Sequence, residues 1–236
     1  MANGKTFEPK GKYSSPSMQS TITLNSEQAI RLFRRCFETA SHSLFVIDVV
    51  SRALAAGTND KEYSKVDATV STMLTDMESL IANEASRIEA LLKAHGFENW
   101  KPDYSQPTPF SFKIASPVIL RFAQILLEFD KMIARIDTAW LAQLIDTKKC
   151  QELHKEKLHW AMRQVRKLQA LSTAAIKRGR KVKLDPSLLD ELEQKSAANA
   201  EQMERDDDGQ GDEKLEHSEA GAGADVVPSE RQVATA

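Results

Sequence analysis

Cysteine is scarce in this chain. Cys36 and Cys150 are the two present in 236 residues, both within apolar helical patterns. That excludes a disulfide framework and leads us to expect small buried thiols in a reducing, cytoplasmic setting. Long apolar runs are missing too: none approaches the roughly 20 residues that a membrane-spanning helix needs. Residues 1–17, MANGKTFEPKGKYSSPS, lack the apolar centre of a signal peptide, so neither export nor insertion is expected. The nine glycines form no phosphate-binding loop, and the motifs GxSxG, HExxH and CxxC are absent.

The remaining chemistry-bearing clusters also fail as sites. Cys150, His154 and His159 stand at i, i+4 and i+9. On a helix the first and last lie about 180° apart, so the three cannot share one metal. Glu128 and Asp130, at i and i+2, diverge rather than form a catalytic carboxylate pair. No enzyme, cofactor or metal is expected.

What is present is apolar content of 41%, enough for a real core, and charge sorted along the chain. Residues 186–236 hold 4 Lys+Arg against 14 Asp+Glu, leaving 28 basic and 20 acidic residues before them. A body of about +8 thus precedes a tail of about −10, a distribution suited to meeting a polyanion. The periodicities predict a mainly α protein with a basic N-terminal arm (1–17), a strand-helix-helix segment (18–57), a helical body (58–185) and an acidic, largely disordered tail (186–236) that could meet a protein partner.

Helix signals are plentiful. Asn25 or Ser26 caps a helix bearing Ile30, Phe33 and Phe37. The poor helix formers Thr39-Ala40-Ser41-His42-Ser43 then predict a break and a second helix from Ser43-Leu44 to Gly57, with one bent helix over 26–56 as the alternative. A long 3/4-spaced helix covers 61–94 and stops at Gly96. After a proline-rich extended connection, Ser116-Pro117 opens a strongly apolar helix. Asp146-Thr147 caps the next, with Gly179 expected to close it beside Lys177, Arg178, Arg180, Lys181 and Lys183. That basic cluster fits a helix C-terminus attracting cations through its dipole. A short helix is expected after Pro186, with disorder from about Ser196.

One segment departs from this pattern. In MQSTITL, residues 18–24, Ser20, Ile22 and Leu24 share one face and Gln19, Thr21 and Thr23 the other, which predicts a half-buried strand. Such a strand needs a partner for its backbone. A second copy would make a two-stranded ribbon able to enter the DNA major groove, with Gln19, Thr21 and Thr23 at base edges and Arg31, Arg34 and Arg35 near phosphates. The amides of Ser43 and Leu44 at a helix N-terminus would hold another phosphate. Alternatively, residues 109–116, PFSFKIAS, would pair with the strand inside one chain.

STITLNSEQAIRLF, PFSFKIASPVILRFAQILLEFDKMIARIDTAWLAQLID and the helix ending KRGRKV resemble, over residues 20–182, the AcaB-type transcriptional regulators of integrating conjugative elements and conjugative plasmids. The resemblance implies a ribbon-helix-helix segment on a helical body, acting as a homodimer on double-stranded DNA, with Gln19, Thr21 and Thr23 as base readers. The competing reading is a non-catalytic helical scaffold or adaptor of the transfer machinery.

Overall fold

A computed structural model describes residues 16–57 and 60–208. Its elements are β1 (Met18–Leu24), α1 (Glu27–Gly57), α2 (Asp60–Ala94), β2 (Thr108–Ile114), α3 (Pro117–Leu141), α4 (Thr147–Lys181) and α5 (Pro186–Asp208). The protein is mainly helical, with one two-stranded antiparallel sheet. Residues 1–15 and 209–236, which hold most of the basic arm and much of the acidic tail, lie outside the described residues.

The partner of β1 is β2 of the same chain, in a register running from Met18 opposite Ile114 to Leu24 opposite Thr108. The two-stranded ribbon is therefore not built from two copies. The reason is apolar matching: Phe110, Phe112 and Ile114 fall on the same face as Ile22 and Leu24, so pairing presents one greasy surface to the helices. Phe33 of α1 stacks on Phe110 with centroids 4.2 Å apart, and Phe37 meets Phe112 edge-on at 5.0 Å. Such ring pairs add to the burial term that drives the sheet onto α1.

Between Ser26 and Gly57 there is one helix, and the expected break at 39–43 is absent. Most of these small and polar residues are buried, and two of them, Thr39 and His42, find partners on α5. The Thr39 hydroxyl donates to the Asn199 carbonyl at 3.3 Å, and His42 Nε2 lies 3.2 Å from the Leu192 carbonyl and 3.1 Å from Ser196 Oγ. For Thr39 and His42, tertiary partners engage the groups that would otherwise compete with the helix backbone, and weak propensity yields. The unbroken α1 packs against all four other helices.

Two further expectations change. Gly179 lies inside α4, not at its end, because Leu184 and Leu189 crowd it: an added Cβ would sit 3.2 Å from Leu184 Cδ1 and 3.1 Å from Leu189 Cδ2. The chain turns instead at Lys183, which adopts φ 59. α5 then runs well beyond Ser196, since Leu189, Leu192 and Met203 keep a buried face on it. The long helix after residue 60, the Ser116-Pro117 start of α3 and the Asp146 cap of α4 follow the sequence reading; Asp146 accepts from the Lys149 amide at 2.6 Å.

At the junction of β1 and α1, one buried carboxylate gathers four donors. Asp130 of α3 accepts from the Asn25 amide N–H (3.0 Å) and side chain (2.9 Å), and from the Ser26 amide N–H (2.8 Å) and hydroxyl (2.6 Å). Ser26 Oγ in turn accepts from the Ala29 amide at 3.3 Å, so Ser26 is the N-cap. Charge-assisted bonds of this kind, buried, rank among the stronger ones in proteins.

Two outcomes are expected. Asp130→Ala deletes the shared acceptor and strands buried donors, which should cost about 2–4 kcal/mol in chemical denaturation; a loss below about 1 kcal/mol would contradict this role. His42 is held below its ordinary pKa, chiefly by burial. The unfolded chain therefore binds the proton more readily, so stability present at neutral pH falls as pH drops below the ordinary histidine value of about 6.5. Denaturation midpoints at pH 5.5 and 7.5 should differ less in His42→Gln than in the parent.

Candidate nucleic-acid interface

The alternation of β1 turns Gln19, Thr21 and Thr23 away from the helices, and all three are exposed. Pairing adds three residues to the same outer face: Lys113 opposite Gln19, Ser111 opposite Thr21 and Pro109 opposite Thr23. Thr21 Oγ1 and Ser111 Oγ are 3.2 Å apart and share a hydrogen bond. The result is a polar surface two strands wide. Its short hydroxyls and one amide both donate and accept, which is the chemistry needed to meet base edges. Ser111 and Lys113 escaped the sequence reading, because their place on this face depends on the β2 register.

The three arginines do not form one cluster. Arg31 is exposed and ion-paired with Glu27 one turn earlier on α1. Arg34, also exposed, places its guanidinium 5.9 Å from the centre of the Phe110 ring, beside the ribbon. Arg35 is half-buried. Ser43 and Leu44 are a clear correction: they lie in the middle of α1, 2% and 1% exposed, where their amides belong to the helix and offer nothing to a phosphate.

A larger basic surface lies on α4. Its core face carries Cys150, Leu153, Leu158, Met162, Val165, Leu168 and Ile176. The opposite face presents Lys148, Lys155, His159, Arg163, Arg166, Lys177 and Lys181, all exposed, with Glu152 and Glu156 as its acidic members. At 1.5 Å per residue the stripe is about 50 Å long. Helical spacing in the sequence would have found it had each polar face been read along with each apolar one. In the 177–183 cluster, Arg180 is engaged by α5, bonding Asp190 at 2.7 Å and Glu193 at 2.5 Å.

The aromatics of the connection divide. Phe110 packs into the core, whereas Trp100 is 61% exposed and touches Phe97 edge-on. Tyr104 donates to Asp137 Oδ2 at 2.6 Å, and burial together with that carboxylate pushes its phenol above the usual range. Asp137 also bonds His154, beside Cys150, whose thiol burial raises to about 11. No sequence signal linked Asp137 to these residues, since they meet only when α3 and α4 pack.

Among the described residues, no helix is long and apolar enough to cross a membrane. No protein-family model matches the chain, and no curated protein matches it in sequence. Among solved structures, the crystal structure of selenomethionine-containing AcaB from uropathogenic E. coli is similar, with 20% identity and a TM-score of 0.69. The similarity covers 82% of this chain and 100% of that one, so the chain has an AcaB-like fold.

Proposed function

We propose that this protein is a DNA-binding regulator of a conjugative element, inserting the β1–β2 ribbon into the major groove and holding phosphates with basic side chains of α1 and α4. The observation that carries the reading is the ribbon's outer face, where Gln19, Thr21, Thr23 and Ser111 stand exposed and Lys113 half-exposed on two paired strands. A major groove about 12 Å wide admits such a ribbon, and alternate side chains then reach base edges. The stripe on α4 supplies the sequence-independent attraction, because each neutralised phosphate releases counterions. The AcaB-like fold, and the resemblance to AcaB-type transcriptional regulators, support gene regulation as the purpose. Each chain brings a complete ribbon, so a two-fold operator would be read by two chains of a homodimer, one ribbon per half-site.

One observation favours the scaffold reading instead. β1 finds its partner within its own chain, which removes the need for a second copy that first suggested a dimeric DNA reader. The two readings part on binding. On duplexes from the regions flanking its own gene, the DNA reader should show a preferred sequence and an affinity that falls steeply with salt. Thr21→Ala with Thr23→Ala should narrow the gap between preferred and random duplexes. Lys155→Glu with Arg163→Glu should weaken both alike and flatten the salt slope by about two units. No binding at low salt, or binding without any sequence preference, would leave the scaffold in possession.

A further inference from the structure

Where α3 meets α4, three potential metal ligands converge. Cys150 and His154 sit at i and i+4 on α4, so they share one helix face, and Asp137 reaches them from α3. Their ligand atoms all lie within 4.8 Å of one another. Asp137 Oδ1 is 2.9 Å from His154 Nε2, and Cys150 Sγ is 3.7 Å from that same nitrogen. A tetrahedral zinc ion, with bonds of about 2.0–2.1 Å to nitrogen and oxygen and about 2.3 Å to sulfur, needs separations of about 3.3–3.6 Å between ligand atoms. The sulfur–nitrogen distance must close by about 0.1 Å, the oxygen–nitrogen distance must open by about 0.4 Å, and the sulfur–oxygen distance, no more than 4.8 Å, must close to the same range, all by side-chain torsions.

The surrounding groups suit ligation. The Tyr104 hydroxyl occupies Asp137 Oδ2, leaving Oδ1 as the oxygen that faces the imidazole. Behind the ring, the Gln28 amide lies 3.2 Å from His154 Nδ1. A carboxamide turned end for end offers its oxygen there, accepts Nδ1–H and leaves Nε2 for a metal, which is how ligating histidines are usually oriented. A hydrogen-bonded chain from Tyr104 through Asp137 and His154 to Gln28 would account for four of these residues without a metal. Cys150 joins that chain only through a long sulfur contact, 3.7 Å from the nitrogen the carboxylate engages. One thiolate and one carboxylate also neutralise a divalent charge, so the filled site carries no net charge into the protein. The Asp137 and His154 side chains retain 16% and 17% exposure, enough for an entry path.

We propose that Asp137, Cys150 and His154 bind one Zn2+ ion, with water in the fourth position. The set mixes soft and hard ligands in the way zinc accepts, and its place pins the α3–α4 junction to the start of α1 through Gln28. His159, which the sequence set beside Cys150 and His154, is exposed on the opposite face of α4 and takes no part.

The test uses the full-length chain, freed of any polyhistidine tag and of metal, titrated with Co2+ and then Zn2+. One equivalent of Co2+ should produce the intense near-ultraviolet absorption of a cobalt–thiolate bond. Zn2+ should abolish that band and raise the melting temperature by several degrees. Cys150→Ser should lose the band, Cys36→Ser should keep it, and Asp137→Asn, nearly isosteric, should weaken Co2+ binding at least tenfold while its far-ultraviolet circular dichroism stays native. Absence of the band in the parent protein at equimolar Co2+ overturns the proposal. So does a band that depends on Cys36, or affinity unchanged in Asp137→Asn.

Discussion

The Asp130 carboxylate fixes how β1 and the start of α1 lie against α3. β1 must leave the ribbon and turn into α1 within two residues, Asn25 and Ser26, and both are held by the same two oxygens. Through Asp130 of α3, the turn is pinned to a residue more than a hundred positions later in the chain. The ribbon's inner face is then set against Phe33 and Phe37, its outer face must point to solvent, and the direction of α1 through the core is decided. A buried carboxylate is tolerated there because each of its oxygens receives two donors, Oδ2 from Asn25 and Oδ1 from Ser26.

Much of this was legible from spacing. The strand at 18–24, the long helix before Gly96, the proline-initiated α3 and the Asp146 cap each announce themselves through local rules that need no tertiary partner. What stayed illegible depended on contacts between distant segments. Thr39 and His42 read as breakers until α5 supplies their hydrogen-bond partners. Gly179 read as a stop until Leu184 and Leu189 show that it makes room for packing. For the candidate interface, the alternation of β1 was enough to place Gln19, Thr21 and Thr23 outward, but Ser111 and Lys113 join them only through a register no single-strand pattern encodes. Asp137 was invisible for the same reason, since pairing a carboxylate on one helix with a thiol on the next requires knowing how the helices meet.

The charge distribution acquires a geometry. The excess of basic residues in the body concentrates on the outer side of α4, while elsewhere many of the basic groups are consumed in pairs that join elements. Arg121 bridges α3 to Glu78 and Thr75 of α2, Lys157 reaches Glu84 of α2 at 3.3 Å, and Arg180 draws in α5. The more exposed of these pairs, those of Arg121 and Arg180, add little stability each, while Lys157 and Glu84 are largely buried; all three remove cations from competition for a polyanion. The stripe on α4 keeps its basic side chains exposed along an entire helix.

An unbroken α1 forbids one kind of motion. Had the chain broken at residues 39–43, the ribbon and the α5 docking site would have been joined by a hinge and could have swung independently. As one helix of 31 residues, with both features attached to it, α1 makes them parts of a single lever. The ribbon's seat at Phe33 and Phe37 and the α5 seat at His42 therefore keep a fixed separation along one helix axis.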